Sequence, residues 1–192
     1  MVLTTNHYFG ARVDVIVGLG NPGQRYRQTR HNLGFDVIDA LAERYRIAIR
    51  QREAEALCGT GQIGRRPVLC VKPQTYMNAS GQSVAPLVRR YLHQGECLIV
   101  VHDDIDLPVG KLKIKRQGGD AGHLGIRSII AWFESDVFVR IRMGIGKPPR
   151  KEDVVDYVLS PFPAQEAEAR QRMIAQAVTW VETLVEAPGQ PR

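Results

Sequence analysis

The sequence predicts an α/β fold in one domain, with a mixed, twisted central sheet flanked by helices. Three observations lead there. Apolar strand-like runs alternate with segments of helical periodicity along the 192 residues. Residues 97–101, CLIVV, form the unbroken apolar run of a buried central strand. Polar clusters follow the ends of strands, where open α/β sheets carry their sites.

Residues 12–18 read as the first strand. Over 32–45, Leu33, Val37, Leu41 and Ala42 recur at helical spacing, with Ile38 beside them. Residues 55–63 and 67–71 read as an antiparallel pair around the Gly64 turn, followed by a helix over 79–91. The run at 97–101 ends in His102, Asp103, Asp104, Ile105 and Asp106, so the charges emerge at the strand's tip. Residues 111–115 alternate Lys with apolar residues in the period of two of a strand with one wet face. A helix over 123–133, a strand over 138–145 and a short helix over 151–159 come next. A helix from 164 to about 186 closes the pattern, with Met173, Ile174, Ala177, Val178, Val181 and Leu184 on one stripe. Residues 1–11 carry no pattern and no secretion signal, and are expected to be a loose extension of the single 1–192 domain.

Composition narrows the function classes. Hydrophobic content of 44% with 24% charged is that of an ordinary globule, and no apolar run reaches the eighteen residues of a membrane span. Cys58, Cys70 and Cys97 are widely spaced, without a CxxC pair or clustered His, which argues against a disulfide framework or zinc and for reduced core thiols in the cytoplasm. A formal charge of +6 leans toward an anionic partner.

Four constellations carry chemistry. In GLGNPG, Gly18, Gly20 and Gly23 match a dinucleotide-binding fingerprint, but residues 24–31 are almost wholly polar where an apolar helix should begin, and Pro22 removes a backbone donor. The segment reads better as a strand, a turn presenting Asn21, and a polar loop delivering Tyr26 and His31 to a cleft. The plainer reading of Asn21 is a turn residue before Pro22 and Gly23. Asp103 or Asp104 could act as a base, ligate a metal, or orient a histidine. Orientation of His31 is favoured, because no second cluster supplies metal ligands. His7 and His93 have bland readings, a surface loop position is the plain one for His31, and His102 and His123 stay open. In KPQTYMNASG, Asn78 or Ser80 could cap the following helix, while Tyr76, Met77 and Asn78 suit contact with a base or a peptide. Lys111, Lys113 and Lys115 share a face, as do Arg140 and Arg142. If their strands are neighbours, five positive charges converge on a phosphate-binding surface.

GLGNPGQRYRQTRHNLGFDVID, KPQTYMNASG, HDDIDLPVGKLKIK, GGDAGHLGIRSI and RIRMGIGKP occur together and in this order. Taken together they resemble the bacterial peptidyl-tRNA hydrolase family. The resemblance implies a monomeric cytoplasmic enzyme with one α/β domain and no metal or other cofactor, which cleaves the ester between a stalled peptide and tRNA. It implies that His31 is the general base, that Asp103 stabilises its basic form, and that Asn21 tells a peptidyl ester from a free aminoacyl ester by accepting from the peptide N–H. It also implies that Tyr26, Tyr76 and Asn78 bind the tRNA end or the peptide beside it, with the oxyanion donor near Asn78, and that Lys115 and Arg142 grip a phosphate of the acceptor stem.

One position departs: the family's GHNG reads GHLG here, so Leu124 stands where an Asn helps place substrate or water. An isobutyl group makes no hydrogen bond, and a lost transition-state donor costs about 2.7–4 kcal/mol. Catalysis is therefore expected to be weakened or rerouted. The alternative reading is an RNA-binding relative with reduced catalysis, against which the retained Asn21, His31, Asn78 and Asp103 weigh. Binding is expected to weaken steeply with salt.

Overall fold

The structure is a computed structural model and describes residues 13–92 and 97–187. Strand β1 (Asp14–Gly18) is buried throughout and leads, through a turn and a short 3-10 segment, into α1 (Leu33–Tyr45). Three strands follow, β2 (Gln51–Glu53), β3 (Ala56–Ile63) and β4 (Arg66–Pro73), and then α2 (Ser80–Tyr91). Beyond it lie β5 (Leu98–Asp104), β6 (Leu112–Lys115), α3 (Leu124–Phe133), β7 (Val139–Gly144), α4 (Val154–Val158) and α5 (Ala167–Glu186).

The seven strands form one mixed sheet in the order β2-β3-β4-β1-β5-β7-β6. Its centre, β4-β1-β5-β7, is parallel, and the antiparallel pairings lie toward the two margins. Alternation along β1 divides the core. Ile16 faces the layer built from Leu33, Ile38 and Leu41 of α1 and Met173, Ala177 and Val181 of α5. Val15 and Val17 face the layer built from Val84 and Leu87 of α2 and Ile126 and Ile129 of α3. The chain leaves β1 for β4 on one side and returns to β5 on the other, so the crevice beyond the carboxyl ends of β1 and β5 is the switch point that favours a site.

Two glycines of the GLGNPG turn, Gly18 and Gly20, serve packing, while Gly23 has open space around it and a φ of 105°. A Cβ on Gly18 would be driven into the Gly34 carbonyl of α1, and one on Gly20 would come within 2.7 Å of the Phe35 ring. Gly18 and Gly20 let α1 cross tightly over β1 and form no phosphate cradle.

The predicted fold class holds, with local corrections. β5 continues through His102, Asp103 and Asp104, all buried, because these residues pair with Arg142, Met143 and Gly144 of β7. Asp103 and Asp104 therefore stand at the strand's tip, as expected, but as paired and buried members of the strand. The short edge strand β2 was not expected; its QRE is polar and gives no apolar signal. Helix α2 has no side-chain cap, since the Ser80 hydroxyl donates to the Met77 carbonyl and Asn78 lies in the preceding 3-10 turn. The first turns expected of the helices at 32, 151 and 164 are 3-10 segments. Residues 1–12 and His93 lie outside the described residues.

Candidate active site

Four segments meet at the crevice. The turn after β1 brings Asn21, the 3-10 segment Arg30–Asn32 brings His31, the β4–α2 connection brings Tyr76, Met77 and Asn78, and the end of β5 brings Asp103. Residues from all four, together with His123, Leu124 and the valines of α4, line one cavity of about 370 Å3.

At its base, His31 Nδ1 lies 2.9 and 3.0 Å from the two Asp103 carboxylate oxygens. The carboxylate is an acceptor, so Nδ1 carries the proton and donates. Nε2 is thereby left as the basic nitrogen; it makes no hydrogen bond among the described residues, and the ring lines the cavity. Burial alone would push His31 down, but the Asp103 charge and hydrogen bond outweigh it and set its pKa above the ordinary 6.5. Burial likewise opposes the Asp103 charge, and His31 and His123 overcome it, holding the carboxyl well below the usual carboxylate range.

Asp103 has a second imidazole. His123 caps α3, accepting at Nδ1 from the Ile126 N–H, so its proton sits on Nε2, which lies 3.1 Å from Asp103 Oδ1. His102 donates from Nδ1 to the Asp103 backbone carbonyl at 2.7 Å, and burial together with His123 pushes its pKa far down, so it stays neutral. His31, Asp103 and His123 offer donor atoms within 4.8 Å of one another, a set that could hold a metal ion. An ion there would require both imidazoles to give up the N–H bonds that now neutralise the carboxylate. The sequence reading found no second ligand cluster because these donors come from three separate segments.

Asn21 is buried and doubly held. Its backbone N–H donates to Asn32 Oδ1 at 2.9 Å, and Asn32 Nδ2 returns a bond to the Asn21 carbonyl. Its side-chain Oδ1 accepts from the Met77 N–H at 2.8 Å, which ties the β1 turn to the β4–α2 connection. What Asn21 has left to present is its amide N–H2 group. Asn32 was not singled out from the sequence and His123 was left open there; histidine is not among the common helix caps, so nothing local marked its part.

The His31 loop is strapped from outside by Arg30. This buried guanidinium donates to Ser160 Oγ at 2.9 Å, to the Pro161 carbonyl at 2.6 Å and to Glu166 at 3.0 Å, and lies over the Tyr157 and Phe162 rings. A bridge between Thr29 and Pro161 and the bond from Arg30 N–H to the Ser160 carbonyl complete the strap.

The other expected residues are dispersed. Tyr76 is 56% exposed and lines the cavity with Asn78, whereas Tyr26 lies outside that lining beneath the Arg25 guanidinium. β6 and β7 are neighbours, with Lys113 opposite Arg142 and Lys115 opposite Arg140, but five free charges do not converge. Arg140 is buried, giving its protons to the Gly119 and Asp136 carbonyls. Arg142 is paired with Asp104. Lys111 precedes the strand, and half-buried Lys115 reaches the Gly119 carbonyl at 3.2 Å. Cys58 and Cys70 are pushed by burial to about 12 and Cys97 to about 11, so none is a ready thiolate nucleophile.

Fold and site together define an α/β protein with a carboxylate-oriented histidine at the switch point of its sheet, the equipment of a hydrolase that activates water. The peptidyl-tRNA hydrolase family profile matches residues 15–190. The peptidyl-tRNA hydrolase of Alkaliphilus oremlandii is 48% identical over 89% of this chain and 92% of its own length, and that of Moorella thermoacetica 46% over 92% and 93%. A crystal structure of the peptidyl-tRNA hydrolase of Acinetobacter baumannii superposes with a TM-score of 0.86 at 39% identity, covering 91% of this chain and 89% of that one. This chain belongs to the peptidyl-tRNA hydrolase family.

Proposed function

We propose that this protein hydrolyses the ester joining peptide to tRNA in peptidyl-tRNA, releasing both for reuse, with His31 as general base. The observation that carries the reading is the bond from His31 Nδ1–H to Asp103, which leaves Nε2 unprotonated toward the cavity. Water bound at Nε2 gives it a proton and attacks the ester carbonyl. Asp103 stabilises the imidazolium, and the Asn78 amide is available to the oxyanion. Collapse breaks the acyl–oxygen bond, and the departing ribose oxygen takes the proton back from His31. The products are a peptide acid and tRNA with a free hydroxyl.

The engagement of Asn21 Oδ1 by Met77 changes its expected part. Asn21 meets the substrate as a donor, through Nδ2, to the carbonyl of the first peptide bond. A free aminoacyl ester lacks that carbonyl, so the donor discriminates between the two. Exposed Lys113 and half-buried Lys115 offer the acceptor stem charge at the sheet edge, Arg142 serves with its charge already shared by Asp104, and Tyr26 and Tyr76 flank the approach. The reading takes the enzyme as a cytoplasmic monomer that needs no metal. Among the described residues no helix is long and apolar enough to cross a membrane.

Single-turnover cleavage of an N-acetyl-aminoacyl-tRNA beside its unblocked counterpart tests the reading. The blocked ester should be cleaved and the unblocked one spared, and His31→Ala should abolish cleavage while retaining tRNA binding. Binding without cleavage by the unaltered protein would instead support the RNA-binding alternative that Leu124 raises.

A further inference from the structure

We infer that Leu124 and the apolar wall facing it form a side-chain subsite that selects apolar residues at the esterified end of the peptide. The inference rests on the hydrolase reading above and specifies its substrate class.

The cavity is lined by two kinds of group. His31 and Asp103 supply the reactive pair, and Leu124, Ile105, Val154, Val155, Val158 and Leu159 supply apolar surface to the same cavity. Leu124 is 47% and Val155 65% exposed, although both border a concavity. Apolar surface left in water beside a reactive group recovers its hydrophobic free energy only when a ligand covers it. The volume, about 370 Å3, is at the small end of ligand pockets, room for one residue and its ester more than for a length of peptide.

Position makes the wall a partner of the scissile ester. Leu124 is the first residue of α3 and follows His123 directly, and His123 Nε2 is fixed 3.1 Å from Asp103. The wall is thus registered to the same carboxylate that orients His31. An ester attacked by water held at His31 Nε2 lies in the same cavity as these apolar residues, so its α-carbon substituent is within their reach. The carboxylates near it offer a polar substituent little, because Asp104 is paired with Arg142 and Asp120 with Arg127. A side chain such as Asn laid against these apolar residues would lose its water and gain no bond from them.

The test uses one tRNA body carrying N-acetyl-leucine or N-acetyl-asparagine, esters of nearly equal shape and different polarity. The unaltered enzyme should favour the leucyl ester about 10-fold or more in kcat/KM. Leu124→Asn should bring the two within about threefold of each other, and Val155→Thr, which keeps the shape of the opposite wall, should lower the ratio in the same direction. Equal rates for the two esters in the unaltered enzyme, or a ratio unmoved by both substitutions, would overturn the subsite while leaving the hydrolase reading intact. Failure to cleave either ester would remove the hydrolase reading, and the subsite with it.

Discussion

Asn21 illustrates how a side chain's existing bonds limit what it can do for a substrate. Its residue type suits either donor or acceptor, and the sequence favoured the acceptor. The Met77 N–H settles which end of the amide is committed, since a backbone N–H can only donate and must therefore face Oδ1. Asn21→Asp separates the roles, because a carboxylate can keep the Met77 bond but cannot donate. We expect Asn21→Asp to lower kcat/KM on a blocked ester by about 100-fold or more and to narrow the preference over the unblocked ester. Full retention of that preference in a variant with unchanged melting temperature would contradict the donor role. The same bond-by-bond logic fixes His123, whose proton is placed on Nε2 by the Ile126 N–H that its other nitrogen accepts.

The elements that hold His31 are less obvious than the residue itself. The 3-10 turn Arg30–Asn32 is followed by α1, but it is kept in place by a segment more than a hundred residues later, through Arg30. Lysine cannot reproduce a guanidinium that reaches a hydroxyl, a carbonyl and a carboxylate at once while lying on two aromatic rings. Arg30→Lys is expected to cost about 1.5–3 kcal/mol in denaturant unfolding and to lower kcat more than tRNA affinity. Unchanged kcat would show that the strap does not position His31. None of this was legible in sequence, where Arg30 is one of several arginines in a polar loop. The helices and long strands were legible because each shows one dominant period. The end of β5 was legible as the place where charge meets the strand tip, but its burial was not, since only the pairing with β7 and the imidazoles of His31 and His123 satisfy it there.

The molecule as a whole brings together groups that local patterns cannot connect. His31 and Asp103 are 72 residues apart and meet only because β1 and β5 lie side by side in parallel. The motif order made that pair an expectation, but nothing local to either residue shows that His123 shares the carboxylate. Nor does the sequence show that Arg140 and Arg142 use their charge within the fold. Periodicity showed two basic strands and left their adjacency as a condition, which the structure meets; it could not see that the two arginines are engaged within the fold. The central claim is that Asp103 lifts the basicity of a buried imidazole that burial alone would depress. Titration of the His31 ring by NMR in the unaltered protein and in Asp103→Asn tests this most directly. We predict a midpoint above 6.5 that falls below 6.5 on substitution, because the burial penalty is then no longer opposed by the carboxylate charge. A midpoint that stays in place when the carboxylate is removed would contradict the account.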